Sequence, residues 1–368
     1  MALTTSIILN ELRTYGRLSH QQWLEILTNA QRNPDCADEI RACAHAIREH
    51  YFGRAVYIRG LIEISNYCQN DCFYCGIRKS NSEVSRYRLS PDDILRCCRQ
   101  GHNLGFRTFV LQGGEDAWYT DDRLSKLVAA IHAEFPDSAI TLSLGERSRA
   151  SYERLFAAGA NRYLLRHEAV NPDLYASLHP ARQRLATRLD CLRQLQAIGY
   201  QAGAGFMVGA PGQTLSHLAE DMVFLGDFRP AMVGIGPFIP QHATRYAHQA
   251  AGSVDLTLIL LSLIRIMLPN VLLPATTALG TMDSHGHAKG MRAGANVVMP
   301  NLSPANVRSK YLLYDNKMSF GSEAAEGLTI LRTQMTAAGY EVVVARGDQP
   351  PLHHDDGCHG HQPAQEPK

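Results

Sequence analysis

Residues 59–78 read RGLIEISNYCQNDCFYCGIR, and the two halves of this stretch carry different information. The first half, Gly60–Ser65, is a short apolar run of strand length. The second sets Cys68, Cys72 and Cys75 in a C-x3-C-x2-C triplet. Three thiolates on one tight loop can hold three irons of a cubane cluster. No fourth cysteine nearby completes the all-thiolate set of an electron-transfer 4Fe-4S centre, so one iron would stay open to another ligand. Zinc is the alternative chemistry. It wants a fourth Cys or His at short spacing, and the nearby candidates Cys97, Cys98 and His102 sit on a stretch that reads as an amphipathic helix.

The triplet resembles that of the radical S-adenosylmethionine (SAM) superfamily. There the amino and carboxylate groups of SAM chelate the open iron of a 4Fe-4S cluster. The reduced cluster then cleaves SAM to methionine and a 5′-deoxyadenosyl radical. Tyr74, just before Cys75, also fits that pattern, in which the ring packs near the adenine.

Outward from this stretch the chain alternates between short apolar runs and helical periodicity. The strand candidates are Gly60–Ser65, Thr108–Gln112, Ala139–Leu144, Arg162–Arg166, Gln201–Val208, Ala231–Gly236, Val271–Ala275 and Ala295–Met299. Between them, Pro91–Leu104, Asp122–Glu134, Ala150–Ala158, Arg184–Ile198, Leu215–Leu225 and Asp255–Leu268 read as helices, with Gly105, Gly159 and Gly199 at expected C-terminal stops. Strand and helix repeated eight times predict an α/β protein, a closed (β/α)8 TIM barrel. A six-stranded open barrel is the alternative, because the last helix is short and holds Gly286 and Gly290. The expected organisation is an N-terminal helical extension over residues 1–50, the barrel over 51–322, a C-terminal cap over 323–347 and a disordered tail over 348–368. That tail carries His353, His354, Cys358, His359 and His361, which read as adventitious metal binders.

The chain has 368 residues, 45% hydrophobic, with formal charge +1. Near-neutrality gives no general attraction to nucleic acid or to anionic membranes. No stretch reads as a signal peptide, and Val254–Leu268 is too short to span a bilayer and is interrupted by Arg265. Nine cysteines, three of them in the cluster triplet, do not form a disulfide framework, and they point to a reducing cytoplasm.

Side chains at strand C-terminal ends face the active site of such barrels, and the polar residues here gather at those ends. After the second strand come Gln112, Gly113, Gly114, Glu115 and Asp116, glycines for close ligand approach and a carboxylate for the amino group of SAM. On the third, Thr141 and Ser143 share one face. The fourth runs Arg162-Tyr-Leu-Leu-Arg166-His167-Glu168, whose charges need partners or ligands. A structural Arg–Glu network is one account, and a grip on SAM by Glu168 and Arg188 is the other. Thr214 can cap a helix after the fifth strand. Thr276, Thr277 and Thr281 can bind an anion after the seventh, and Tyr311 and Tyr314 are expected on one helical face.

Taken together, RGLIEISNYCQNDCFYCGIR, LQGGED, TLSLGE, RYLLRHE, GFMVGAPGQT, VGIGPFIP, PATTALGT, GANVVMPN and YLLY resemble HydE, the radical-SAM maturase family of FeFe hydrogenases, over about residues 50 to 320. The resemblance implies a complete barrel with Cys68, Cys72 and Cys75 as ligands of a 4Fe-4S cluster. Tyr74, Gly114, Glu115, Thr141, Ser143, Glu168 and Arg188 would lie near SAM, and Gln112, Thr276, Thr277, Tyr311 and Tyr314 would line the substrate cavity or its anion sites. It also implies a small organometallic substrate, a cysteine-bound iron carbonyl cyanide from the partner maturase HydG, and a reductase or ferredoxin as electron donor. Gly113 stands where the family commonly has serine, which would loosen a contact near SAM. No second surface cysteine cluster is present. Methylornithine- or biotin-synthase-like catalysis and a non-catalytic iron–sulfur carrier are the rival readings.

Overall fold

Gly60–Ser65 is buried along its whole length and forms, with Ala55–Ile58, the first barrel strand. In this computed structural model, which describes residues 2–318 and 324–352 with side chains from Thr5 onward, the parallel ring continues through Thr108–Gly113, Ala139–Ser143, Arg162–Leu164, Gln201–Ala204 and Met232–Val233. Single parallel bridges from Met232 to Leu272, Pro274 to Val297 and Leu61 to Asn301 carry it through the seventh and eighth strands and back to the first. The ring is a closed (β/α)8 barrel. The seventh strand shrinks to its bridging residues, which explains why its sequence signal is faint.

Local chemistry sets the helices. Ser90, Thr120, Ser148, Thr214 and Ser253 accept N-cap hydrogen bonds at the starts of Pro91–Asn103, Asp121–Glu134, Arg149–Ala157, Leu215–Phe228 and Val254–Met267. Gly105, Gly159 and Gly199 have positive φ just beyond helix ends, as their positions predict. Val254–Met267 is buried from Leu256 to Met267, and each buried Leu or Ile there contributes roughly 1.5–3 kcal/mol. Its Arg265 donates to the carbonyls of Gly294 and Pro269 and to Asn296, so the charge leaves no stray donor. No described helix is long and apolar enough to cross a membrane.

Three N-terminal helices, Ala2–Tyr15, His20–Arg32 and Pro34–Phe52, pack with Val254–Met267 and Leu215–Phe228. Beyond the barrel, Ala324–Ala337 leads to Glu341–Val343, which pairs parallel with Ala55–Ile58. The chain then crosses beneath the strand N-termini. Arg162 donates to Asp348 at 2.6 Å and to the Arg346 and Gly347 carbonyls, Thr108 donates to the Arg346 carbonyl, and Asn270 donates to that of Pro350. Ordered chain therefore runs past the expected start of the tail at Asp348, because a buried guanidinium under the barrel demands that carboxylate. Residues 353–368, with their histidines and Cys358, lie outside the described residues.

Candidate active site

Cys68, Cys72 and Cys75 are free thiols on the loop between the first strand and Pro91–Asn103, and all three line a cavity of about 330 Å³ at the strand C-termini. The loop is fastened from within. Asn66 donates to the carbonyls of Ser85 (2.9 Å) and Lys310 (2.7 Å), and Arg86 donates to those of Ile77 and Arg78. Burial raises all three thiols: Cys72 is pushed up to about 12 and Cys75 well above its ordinary value, with neighbouring thiols adding to the rise of these two. Burial raises the helix thiols Cys97 and Cys98 in the same way, so it is the convergence of the three on one cavity that marks the site. No three His, Cys, Asp or Glu side chains among the described residues converge as one zinc ion would need, whereas a cubane spreads its thiolates over separate irons. Cys97 and Cys98 are buried in their helix.

Beside the triplet, the backbone comes very close. A Cβ on Gly114 would meet the Tyr67 carbonyl oxygen at 2.3 Å and the Cys68 Cβ at 2.6 Å. Gly145, at φ +75°, leaves room for the Glu115 side chain, whose Oε1 accepts the Glu146 amide and whose Oε2 accepts from Gln69. Asp116 turns away from the cavity. It takes a bidentate pair from Arg88 and the Ser65 hydroxyl, so its role is to anchor the loop.

In the same cavity Arg166 Nη2 stands 3.0 Å from Glu168 Oε2, and Arg188 Nε stands 2.6 Å from Glu146 Oε1. Neither pair is aligned as a hydrogen bond, which leaves Arg166 Nε and Nη2, Glu168 Oε2 and Arg188 Nε buried with bonding capacity unused. Burial works against the Arg188 charge, but Glu146 and its other anionic neighbours outweigh it and hold the guanidinium firmly protonated. Glu168 adopts φ +65°, costly for a residue with a Cβ. The backbone around it is clamped: the Glu168 amide donates to the Gly205 carbonyl at 3.0 Å, and neighbouring His167 lies 3.1 Å from Asp221. Tyr74 packs edge-on against His179, its hydroxyl 3.3 Å from Nε2, while burial lowers that histidine to about 4.

Of the remaining expected residues, Gln112, Ser143, Thr276, Thr277, Tyr311 and Tyr314 line the cavity. Thr141 is buried two residues before Ser143 and is not among the residues lining the cavity; neither its hydroxyl nor that of Thr276 has a hydrogen-bond partner among the described residues. Thr281 is engaged instead with the Thr277 carbonyl and the Met318 amide. The helical face expected for Tyr311 and Tyr314 is absent: the helix Ala305–Arg308 ends before them. Their segment is irregular because its polar groups are used outward, the Leu313 carbonyl accepting from Gly76 and the Asp315 amide donating to Pro240. Sequence reading missed Glu63, Gln183 and Lys317, which also line this cavity, and Glu146, which pairs with Arg188; only the charge of Glu63 within an apolar strand could have signalled it.

The donor set suits a cubane and a polar, zwitterionic nucleoside ligand. Free thiols sit beside closely packed glycines, and ion-paired cations and carboxylates with unused hydrogen-bonding capacity face the same space as the Thr276 hydroxyl.

Comparison with known proteins is concordant. Residues 62–225 match the radical SAM superfamily. The chain is 46% identical over 275 residues to the [FeFe] hydrogenase maturase subunit HydE of Thermotoga maritima, covering 75% of this chain and 78% of that one. It is 29% identical over 311 residues to a 3-methylornithine synthase of Methanosarcina barkeri, covering 84% and 83%. The solved structure of methylornithine synthase (PylB) superimposes with a TM-score of 0.78 over 92% of this chain and 97% of that one, at 23% identity.

Proposed function

Since this chain belongs to the HydE family of radical SAM enzymes, we propose that it works in assembly of the diiron subcluster of the FeFe-hydrogenase H-cluster, on a cysteine-bound iron carbonyl cyanide precursor. The observation that carries this is the shared cavity: the three free cysteines open onto the same space as Arg166, Glu168 and Arg188.

In this reading Cys68, Cys72 and Cys75 hold a 4Fe-4S cluster. When bound, the cluster supplies the electron that splits a carbon–sulfur bond of SAM into methionine and a 5′-deoxyadenosyl radical. The chain's own residues bind and orient. Gly114 lets the Tyr67–Cys68 backbone pack against it and so places Cys68, while Glu168 and Arg188 receive the charged groups of SAM. The Tyr74 ring stands beside the cysteines, its hydroxyl held by His179. Ser143 and Thr276 offer hydroxyls along the cavity, and Gln112 approaches the Tyr311 hydroxyl at 3.4 Å at its side. The apolar walls, among them Leu61, Ile77 and Phe238, exclude water from a reactive intermediate.

The partners in this reading are the other hydrogenase maturases and a ferredoxin or reductase, in a reducing cytoplasm. A biotin-synthase-like reaction would need further cluster ligands inside the barrel, and the cysteines lining the described cavity are the triplet alone.

The test is anaerobic: reconstituted protein with SAM, dithionite and the iron synthon, read as hydrogenase activation. Cys72→Ala should leave the barrel folded and abolish both the cluster and 5′-deoxyadenosine formation. Undiminished 5′-deoxyadenosine from that variant would refute the assignment.

A further inference from the structure

Among the described residues, six charged side chains line the cavity: Glu63, Glu115, Arg166, Glu168, Arg188 and Lys317. Four of them belong to the cysteine side, contributed by the second to fourth strands and the helix Leu185–Ile198. Glu63 and Lys317 stand apart from these. Glu63 comes from the first strand, two residues beyond Leu61 on the inward face, and Lys317 from the irregular segment after the eighth. Their side chains pair directly, with Glu63 fully buried and Lys317 10% exposed. Asn301 donates to the other Glu63 oxygen at 2.9 Å, and Lys317 also donates to the Tyr311 carbonyl at 3.1 Å.

A pin holding down residues 311–318 does not explain this pair. That segment is already fastened by the Gly76 amide on the Leu313 carbonyl, the Asp315 amide on Pro240 and the Met318 amide on Thr281. A buried ion pair is moreover a poor stabiliser, often replaced without loss by apolar side chains. Charges kept on a cavity wall beside Leu61, Ile77 and Leu313 are better matched to a charged ligand.

We propose that Glu63 and Lys317 form an amino-acid zwitterion site, Glu63 receiving the α-ammonium and Lys317 the α-carboxylate of the substrate's cysteine moiety. Entry exchanges one protein ion pair for two protein–ligand pairs. Asn301 fixes the carboxylate and the Tyr311 carbonyl fixes the ammonium, so both ends are oriented beforehand. The site rests on the reading that the substrate carries an amino acid. It is distinct from the residues expected to hold the methionine end of SAM.

The test uses full-length, cluster-reconstituted, SAM-loaded protein and anaerobic calorimetry with three probes: S-methyl-L-cysteine, 2-(methylthio)ethylamine and 3-(methylthio)propionate. Methylation keeps the sulfur from ligating iron as a thiolate. The wild type should bind S-methyl-L-cysteine roughly tenfold or more tightly than either probe lacking one charge. Lys317→Met should erase the advantage over the amine, and Glu63→Gln the advantage over the acid. Each selectivity is a ratio within one protein, so partial unfolding cannot imitate its loss. The Glu63→Gln/Lys317→Met double variant removes both buried charges together and should lose both selectivities. Equal binding of the three probes by the wild type, no binding of any, or selectivity that survives in the single variants would overturn the site. 5′-Deoxyadenosine formation by the same wild-type sample separates the two readings. Its presence beside absent selectivity overturns the zwitterion site alone, and its absence overturns the parent reading and the site with it.

Discussion

Two adjacent glycines should respond oppositely to a single added side-chain atom. At Gly114 a Cβ would lie 2.3 Å from the Tyr67 carbonyl oxygen, 2.6 Å from Cys68 Cβ and 3.0 Å from Cys68 Cα, where ordinary contact begins at 3.4 Å. Two of those three atoms are backbone, so Gly114→Ala must push residues 67–68 by about an ångström. Overpacking of this kind costs roughly 1–3 kcal/mol, which lowers Tm by only a few degrees in a chain of this size. The cluster is far less tolerant, since metal–ligand distances hold to about ±0.2 Å. At Gly113 the nearest atoms are the Ser65 carbonyl oxygen at 3.2 Å, Leu144 Cδ2 at 3.4 Å and Ile64 Cγ1 at 3.5 Å. A small side chain fits there with slight adjustment, so Gly113→Ser, the residue common in the family, should be accepted. Iron and sulfide per chain after anaerobic reconstitution, together with the paramagnetic spectrum, decide the matter. We expect Gly114→Ala to fold but hold well under half the wild-type iron, and Gly113→Ser to load fully. A fully loaded Gly114→Ala protein would refute the argument that close backbone approach places Cys68.

Two further outcomes follow from the buried charges. Arg188→Ala should weaken SAM binding by roughly ten- to a hundredfold, the loss of one charge-assisted contact, with the cluster spectrum intact; equal affinities by equilibrium dialysis would count against its role. Burial lowers His287 to about 4 from an ordinary 6.5, so the native state holds it neutral while the unfolded chain takes up a proton. Its contribution is therefore present above pH 6.5 and is lost as pH falls towards 4. Linkage makes the loss about 2 kcal/mol between pH 7 and pH 5. His287→Gln should flatten urea-derived stability over that interval by this amount, and an unchanged slope would contradict it.

The sequence was most legible where physics is local. Apolar runs of strand length, N-cap hydroxyls such as Ser90 and Thr214, and glycines such as Gly199 all act within a few residues, and the structure has them where pattern alone puts them. The cysteine triplet was readable for the same reason, as spacing and chemistry coincide on one loop. Tyr311 and Tyr314 were misread because i, i+3 spacing implies a helix only when the backbone bonds to itself, and here it bonds to Gly76 and Pro240. The Glu63–Lys317 pair was invisible because its members are 254 residues apart and meet only when the ring closes. Asp348 carried no local signal either, since its partner Arg162 lies 186 residues earlier.

That last contact governs traffic. With residues 346–350 laced across the strand N-termini by Arg162, Thr108 and Asn270, described chain covers the foot of the barrel, while the cysteine loop borders the cavity at its other end. Ligand exchange is thereby left to the strand C-termini, on the side where the three cysteines stand.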